Sequence, residues 1–238
     1  MIAILSALAS EIEVTLSALE SPVKAPFARR SIYLGTLAGR EVVVGHTGIG
    51  KVLAAMTLQG VIDTYHPEAV LFIGIAGSLN QSYEIGDVII AEDCLQHDFD
   101  ATRFGYLRGE IPYEEIVELA SDKVLLDHAA GWKGGGRRLH TGRILSGDRF
   151  VSTAGELPDA HLRDELQGDA VDMESASAAL VAHLNDIPFL VVRIISDKSD
   201  GVLPDDFKRF MKESSALLRD FAEYFVSLPV TGGGAGQS

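Results

Sequence analysis

The chain has 238 residues, with 20 Lys or Arg against 34 Asp or Glu, so its formal net charge is −14. This acidic balance argues against nucleic acid or another polyanion as a partner. No apolar run approaches the ~20 residues that a membrane span needs, and the single cysteine, Cys94, excludes an internal disulfide and fits a reducing compartment. These features predict a cytoplasmic protein with no membrane partner.

The N-terminal segment predicts a buried strand followed by a helix. Ile2 to Ala7 is an apolar run, and Ser10 is a candidate cap for a helix from Glu11 to about Leu19. Glu11 therefore lies just past the carboxyl end of a strand, where it either complements the helix dipole or acts on a ligand. Pro22 and Pro26 predict a break in regular structure afterwards.

Further strands are predicted where apolar or alternating runs are bounded by turn residues. In chain order these strands run from Ser31 to Leu37, Arg40 to Gly45, Ala69 to Ile75, Ile85 to Ala91 and Leu139 to Leu145. Helices are predicted from Lys51 to Tyr65, Glu114 to Gly131 and Asp205 to Phe225, and a short helix is predicted within Leu157 to Leu166. The mingled elements predict one three-layer α/β domain over residues 1–230, with a central mixed sheet flanked by helices. Residues 231–238 predict a flexible tail.

Two motifs imitate ligand sites without completing them. Gly45 to Lys51 has the spacing of a phosphate-binding loop, but Val52 stands where Ser or Thr would hold Mg²⁺. Its glycines are expected to allow a tight turn with backbone close to a ligand. His97 to Asp100 alternates metal-ligating residue types, but no partner cluster with metal spacing follows, so no metal is expected.

The stretch from Ala170 to Asp200 predicts a strand edge, a helix, a turn and a buried strand. Asp172 and Glu174 stand where the helix begins, and Asp197 stands where the buried strand ends. Ligands of open α/β sheets bind outside the carboxyl ends of strands, so these acids suggest acid/base chemistry on a small molecule. Helix capping by Asp172 and a turn at Asp197 remain the structural alternatives.

Ordered sequence blocks give the chain a resemblance to the 5′-methylthioadenosine/S-adenosylhomocysteine nucleosidases, within the purine nucleoside phosphorylase-like superfamily. The blocks are IAILSALASEIE, HTGIGKVLAA, IGIAGSL, YEIGDVIIAED, QHDFDATRFGY, ILSGDRF, VDMESAS and VVRIISDKSD. They run in this order from Ile2 to about Phe225. The resemblance implies hydrolysis of an adenine nucleoside by a homodimer that uses neither a metal nor an organic cofactor.

The resemblance also implies a role for each matching residue. Glu11 matches the general base that activates water, Glu174 the carboxylate that holds the ribose hydroxyls, and Asp197 the acid that protonates adenine N7. The implied binding residues are Phe150 and Val151 for adenine, Met173 for the sugar, Leu8, Ile49 and Phe207 for the 5′-alkylthio group, Arg193 and Ser196 beside the carboxylates, Ala76 and Gly77 at a strand end, and Ala101 and Phe104 reaching the neighbouring subunit's site.

The implied reaction gives the three acids different protonation states. Adenine departs badly as an anion, so a general acid at N7 contributes ~10²–10⁴-fold, and Asp197 must carry a proton. Glu11 must be ionised to accept a proton from water. Glu174 places negative charge near the cationic sugar of the transition state.

Departures from the family pattern leave alternatives open. Asp172 stands where many relatives have Glu and is expected to be structural. Ile75 stands where some relatives have Ser, and some members with an aliphatic residue there also accept 6-amino-6-deoxyfutalosine. Phosphorolysis is disfavoured because Glu11 occupies the water-activating place and no Arg cluster lies around Gly48 or Ala76. A non-catalytic nucleoside-binding protein on the same fold is disfavoured by the three intact acids.

Overall fold

The computed structural model describes residues 1–114, 116–151, 160–198, 204 and 206–227. Ten strands within these residues form one mixed sheet. They are β1 (Ile2–Ser6), β2 (Glu20–Phe27), β3 (Arg30–Leu37), β4 (Arg40–His46), β5 (Ala69–Ser78), β6 (Val88–Gln96), β7 (Leu119–Ala120), β8 (Leu139–Ser146), β9 (Ala170–Asp172) and β10 (Phe189–Asp197). The helices are α1 (Ala9–Ser17), α2 (Lys51–Tyr65), α3 (Lys123–Ala129), α4 (Ala160–Asp164), α5 (Ser175–Leu184) and α6 (Phe207–Val226).

Helices cover both faces of the sheet, which confirms the predicted three-layer α/β architecture. Successive residues of a strand point to opposite faces, and β1 follows this rule: Ala3 and Leu5 pack in one apolar cluster with α2 and α5. Ile2 and Ile4 pack in a second cluster with α1, α3 and α6. No helix among the described residues is long and apolar enough to cross a membrane.

The strand directions bring several carboxyl ends together. β1, β4, β5 and β10 run parallel to one another, while β6, β8 and β9 run in the opposite direction. The sheet order is β10-β6-β8-β9-β5-β1-β4-β3-β2, and β10 also pairs with β5, so five strands close into a ring. β9 meets only the last residues of β5, through Gly77 and Ser78. The carboxyl ends of strands from both directions therefore meet where β5 and β9 pair.

The β2 strand contradicts the predicted break at Pro22 and Pro26. Among the described residues this strand pairs only with β3, and it is largely exposed. Proline lacks an N–H donor and is tolerated at a sheet edge, where one side of the strand needs no ladder partner. The prolines therefore mark an edge strand.

The single helix predicted from Glu114 to Gly131 is wrong. Leu119 is buried and pairs with Cys94 as part of β7, and α3 begins only at Lys123. The Asp122 carboxylate accepts a hydrogen bond of 3.0 Å from Leu125 N and caps α3. This cap and the short strand divide a segment whose apolar spacing resembles one helix.

Other boundaries shift by a few residues. β6 begins at Val88 and continues to Gln96, beyond the predicted Ala91, and β5 extends past Ile75 to Ser78. The predicted helix from Leu157 appears as α4 from Ala160, with residues 152–159 outside the described part. Residue 205 and the predicted tail 231–238 also lie outside the described residues, and the domain limits stay a prediction.

Candidate active site

A cleft of about 690 Å³, open to solvent, lies where the carboxyl ends of β1, β5, β8, β9 and β10 meet. The predicted residues that line it are Leu8, Glu11, Ile49, Ala76, Gly77, Phe150, Val151, Met173, Glu174, Ser196 and Asp197. Ala7, Ile75, Arg149, Val171 and Asp172 complete the lining.

Glu11 is buried in the first turn of α1, and backbone amides hold both of its carboxylate oxygens. Leu8 N donates to Oε2 at 2.7 Å and Ile75 N donates to Oε1 at 2.9 Å. The helix therefore begins after Leu8, and the predicted cap at Ser10 is wrong because Glu11 itself accepts the amide of the residue before the helix. The Glu11 carboxylate completes the helix start and also lies in the cleft lining.

Burial raises the pKa of Glu11, and the Arg193 charge and the two backbone amides oppose that rise. The missing side chain at Gly74 permits this arrangement. A Cβ at Gly74 would lie 2.7 Å from Glu11 Oε1 and 3.2 Å from Arg193 Nη1. Glu11 is thus a buried carboxyl group beside a cation, with its oxygens held at the cleft.

Asp172, which lines the cleft, forms a buried ion pair with Arg193 behind it. Arg193 Nε donates to Asp172 Oδ2 at 2.8 Å, and both side chains are almost fully buried. Asp172 Oδ1 accepts hydrogen bonds from Ser146 Oγ at 2.5 Å and from the backbone N–H groups of Glu174 and Ser175, while Ser175 Oγ contacts Oδ2. These five donors give Asp172 the structural position expected for it. Arg193 lies behind the cleft lining and not in it.

Glu174 occupies the position before α5, and its carboxylate faces the cleft. Gly50 N donates to Oε1 at 2.7 Å, and Gly50 has a φ of 95°, which favours glycine. The glycine-rich turn therefore brings its backbone to a protein carboxylate. Burial and the Asp172 charge raise the pKa of Glu174 to about 7, against the lowering effects of the Gly50 amide and Arg193.

Asp197 is buried at the end of β10, next to Ser196. Ser196 Oγ lies 2.8 Å from Asp197 Oδ2 and 3.2 Å from the carbonyl oxygen of Ala76. The neighbouring serine thus orients the Asp197 carboxyl group and ties it to β5. Ser196 therefore lies beside a carboxyl group, which is the location that the resemblance implied for it.

Apolar side chains form the walls between these acids. Phe150 is 62% exposed and Ile49 is 54% exposed, although both line the cleft, while Val151 is buried. An exposed aromatic ring beside buried acids is suited to stacking on a flat ligand.

Besides Arg193, three predicted site residues lie outside the cleft lining of the described chain. Phe207 is the first residue of α6, Ala101 is buried, and Phe104 is 84% exposed in a loop. Among the described residues, no group of three or more His, Cys, Asp or Glu side chains is placed to hold a metal ion.

Arg149 and Asp172 are the polar lining residues that the sequence did not assign to the ligand site. Arg149 lies between Asp148 and Phe150. Its position next to a predicted pocket residue was the sequence signal that could have placed it at the cleft.

Comparisons with known proteins agree with this geometry. The sequence matches the family profile described as the phosphorylase superfamily over residues 1–227. The 5′-methylthioadenosine/S-adenosylhomocysteine nucleosidase of Staphylococcus haemolyticus is 31% identical, covering 96% of this chain and 100% of that protein. The Haemophilus influenzae protein of the same name is 32% identical, covering 93% and 98%.

A solved structure gives the same result. The crystal structure of the 5′-methylthioadenosine/S-adenosylhomocysteine nucleosidase from Neisseria meningitidis, in complex with methylthio-immucillin-A, superposes with a TM-score of 0.88. Its sequence is 34% identical, and the match covers 95% of this chain and 99% of that one. The chain therefore belongs to the phosphorylase superfamily and, within it, to the 5′-methylthioadenosine/S-adenosylhomocysteine nucleosidase family.

Proposed function

We propose that this protein is an N-glycosidase that hydrolyses 5′-methylthioadenosine and S-adenosylhomocysteine to adenine and the corresponding 5-thioribose product. The observation that carries the proposal is the convergence of Glu11, Glu174 and Asp197 on one cleft. They come from three separate elements: the first turn of α1, the residue before α5 and the last residue of β10. Carboxyl groups held at a cleft are available to a ligand.

In the proposed reaction, a water molecule attacks C1′ while the bond from C1′ to N9 of adenine breaks. Glu11 accepts a proton from this water, and the raised pKa of Glu11 makes it a stronger base than an exposed carboxylate. Asp197 donates a proton to N7, so that adenine leaves as a neutral molecule. The Glu174 carboxylate accepts hydrogen bonds from the ribose hydroxyls and places its negative charge beside the cationic sugar.

The walls of the cleft support this orientation of the substrate. Phe150 and Val151 lie near Asp197 in the proposed adenine pocket, and Met173 adjoins Glu174 at the sugar. Leu8 and Ile49 provide an apolar wall for the 5′-alkylthio group. Phe207, at the start of α6, is proposed to extend this wall when substrate is bound.

Neither alternative reaction gains support from the cleft. Phosphorolysis needs a cation for phosphate. The Arg193 guanidinium is bound to Asp172 with the Glu11 carboxylate next to it, and Arg149 in the cleft lining adjoins Phe150 of the proposed adenine pocket. The relatives described above are named for methylthioadenosine and adenosylhomocysteine, so aminofutalosine cleavage has no comparable support.

A homodimer is part of the proposal, with the segment of Ala101 and Phe104 reaching the partner's cleft through the exposed Phe104, because Ala101 is buried within its own chain. Phe104, Leu107 and Tyr113 lie in one segment and are 84%, 66% and 94% exposed. Large apolar side chains exposed together are typical of an interaction surface. We also propose a cytoplasmic location, which the single buried Cys94 supports.

The test incubates the purified protein with methylthioadenosine or adenosylhomocysteine in phosphate-free buffer. Adenine release is measured by chromatography. We expect both nucleosides to yield adenine at comparable kcat/KM. Binding of methylthioadenosine without adenine release would contradict the enzymatic function. Preferential cleavage of 6-amino-6-deoxyfutalosine in the same assay would show that this compound, and not methylthioadenosine or adenosylhomocysteine, is the preferred substrate.

A further inference from the structure

Lys51 ends the glycine-rich turn and Asp98 lies in the His97 to Asp100 segment. The proposed chemistry uses neither side chain, and the two meet in one polar network. Lys51 Nζ donates to Asp98 Oδ1 at 2.6 Å and to Gln96 Oε1 at 3.2 Å. The lysine that imitates a phosphate-binding residue is therefore already bound to a carboxylate. Likewise, the aspartate that imitates a metal ligand is bound to a lysine.

Asp148 closes this network into a ring. Its backbone N–H donates to Asp98 Oδ2 at 2.9 Å, and its own Oδ1 accepts from Lys51 N at 2.8 Å. The three hydrogen bonds connect Lys51, Asp98 and Asp148 through both side-chain and backbone atoms. We call these three residues the Lys51 clamp.

The sheet register explains why these residues meet. Gln96 and Ser146 pair at the ends of the parallel strands β6 and β8, so Asp98 and Asp148 each follow a strand end by two residues. His97 N continues the pairing by donating to the Ser146 carbonyl oxygen at 3.0 Å. The two acids are therefore delivered side by side to the first turn of α2.

The Lys51 clamp is connected to two parts of the cleft, the proposed adenine pocket through Asp148 and the Glu174 carboxylate through Lys51. Asp148 is two residues before Phe150, in the loop that forms the proposed adenine pocket. Lys51 follows Gly50, whose amide holds the Glu174 carboxylate at 2.7 Å. The Lys51 carbonyl oxygen also accepts a 2.6 Å hydrogen bond from Ser177 of α5, the helix that Glu174 precedes.

The electrostatics of the clamp favour a fixed arrangement. The Lys51 and Asp98 side chains are 18% and 29% exposed, so the ion pair is partly shielded from water. Burial acts to raise the pKa of Asp98, but the hydrogen bonds from Lys51 and Asp148 N and the Lys51 charge lower it below its ordinary value. Charge-assisted hydrogen bonds of this kind are stronger than neutral ones.

We propose that the Lys51 clamp positions the adenine-binding loop relative to the ribose-binding carboxylate, with Lys51 and Asp98 as positioning residues that do not touch the substrate. The inference rests on the proposed function, because it assigns the base to Phe150 and the sugar to Glu174. A nucleoside held at both ends gains affinity when the two ends of its site are already fixed, since less ordering is needed on binding.

The test compares Asp98→Asn and Lys51→Met with wild type by calorimetric titration of adenine and by steady-state kinetics with methylthioadenosine. Asp98→Asn keeps an oxygen acceptor and the side-chain shape but removes the charge. We expect adenine to bind about tenfold more weakly in both variants. The KM for methylthioadenosine should rise by a similar factor, while kcat changes less.

Two further variants separate positioning from general destabilisation. Lys51→Arg retains a cation that can reach Asp98 and should recover most of the lost adenine affinity. Lys123→Met removes an exposed Lys–Asp pair of 2.8 Å on α3 and should leave adenine affinity unchanged. Melting temperatures of all variants report on folding separately.

The proposal is overturned if adenine affinity in Asp98→Asn and Lys51→Met stays within about twofold of wild type, whatever their melting temperatures. It is also overturned if Lys51→Arg binds adenine as weakly as Lys51→Met. Failure of the proposed function has a different signature, which is wild-type protein that releases no adenine from methylthioadenosine.

Discussion

The cleft has two groups of buried acidic residues that serve opposite purposes. We call Asp172, with its ion pair to Arg193, the floor, and we call Glu11, Glu174 and Asp197 the rim. On the floor, Asp172 accepts hydrogen bonds from five donors, including the Arg193 guanidinium. On the rim, the Glu174 carboxylate accepts one hydrogen bond among the described residues, from Gly50 N, and Glu11 accepts two from backbone amides. All three carboxyl groups are buried, so burial alone does not identify the functional ones.

The number and charge of the donors separate the two regions. A buried carboxylate that is fully hydrogen-bonded and paired with a cation is needed by the fold, because its loss would leave a buried charge without a partner. A buried carboxyl group with few donors keeps a raised pKa and free lone pairs, as Glu11 and Glu174 do. Substrate and water can complete the second kind of site but not the first.

The largest expected effect is on the rim, where substitutions should remove activity and leave folding intact. Glu11→Gln removes the proton acceptor, and Asp197→Asn removes the proton donor. Each variant should lose ~10²–10⁴-fold in kcat/KM for methylthioadenosine, measured by adenine release. Wild-type activity in Asp197→Asn would contradict the acid role, and a collapse of the melting temperature in Glu11→Gln would move Glu11 to the structural group.

Asp172→Asn should instead destabilise the fold. The substitution leaves the buried Arg193 charge without its partner, which costs about 3–5 kcal/mol of unfolding free energy. Urea denaturation measures this cost. The matched control is Asp127→Asn, which breaks the exposed pair with Lys123 and should cost less than ~1 kcal/mol. Equal stability of the two variants would remove the distinction between floor and rim.

Glu174→Gln should stabilise the protein at alkaline pH while reducing activity. The folded-state pKa of Glu174 is about 7 and its ordinary value is 4.5, so the folded protein retains a proton that the unfolded chain loses. The stability from this group is complete below pH 4.5 and is lost as pH rises through 7. Because one pKa unit corresponds to about 1.4 kcal/mol, ionising Glu174 at pH 8 costs on the order of 3 kcal/mol.

Gln stays neutral and avoids this cost, while its amide oxygen can still accept the Gly50 N–H. Melting temperatures at pH 8 and pH 4.5 provide the measurement. The variant should melt above wild type at pH 8, and the difference should disappear at pH 4.5. A variant that melts below wild type at both pH values would show that the Glu174 carboxylate is a stabilising group like Asp172.

Local sequence patterns predicted the parts of the fold that depend on neighbours along the chain. Helix α2 runs from Lys51 to Tyr65 as expected, because its glycine-rich start and the following Pro67 mark both ends. The segment from Ala170 contains β9, α5 and β10 in the expected order. Most residues of the cleft lining were predicted from the family motifs, because those motifs mark residues at strand ends.

The remaining features depend on partners that are distant in sequence. The β2 strand exists because β3 offers an edge, and β7 exists because Leu119 pairs with Cys94. Asp172 and Arg193 are 21 residues apart, and Lys51 and Asp98 are 47 residues apart. Whether a carboxylate is saturated or available depends on such contacts, and no local pattern reports them.

Analysis of the sugar product in phosphate buffer tests the central claim most directly. Methylthioadenosine is incubated with wild-type protein in saturating phosphate, and the sugar is identified by mass spectrometry. If Glu11 activates water in the cleft, the product is free 5-methylthioribose, formed at the same rate with and without phosphate. Formation of 5-methylthioribose 1-phosphate, or adenine release that requires phosphate, would contradict the account.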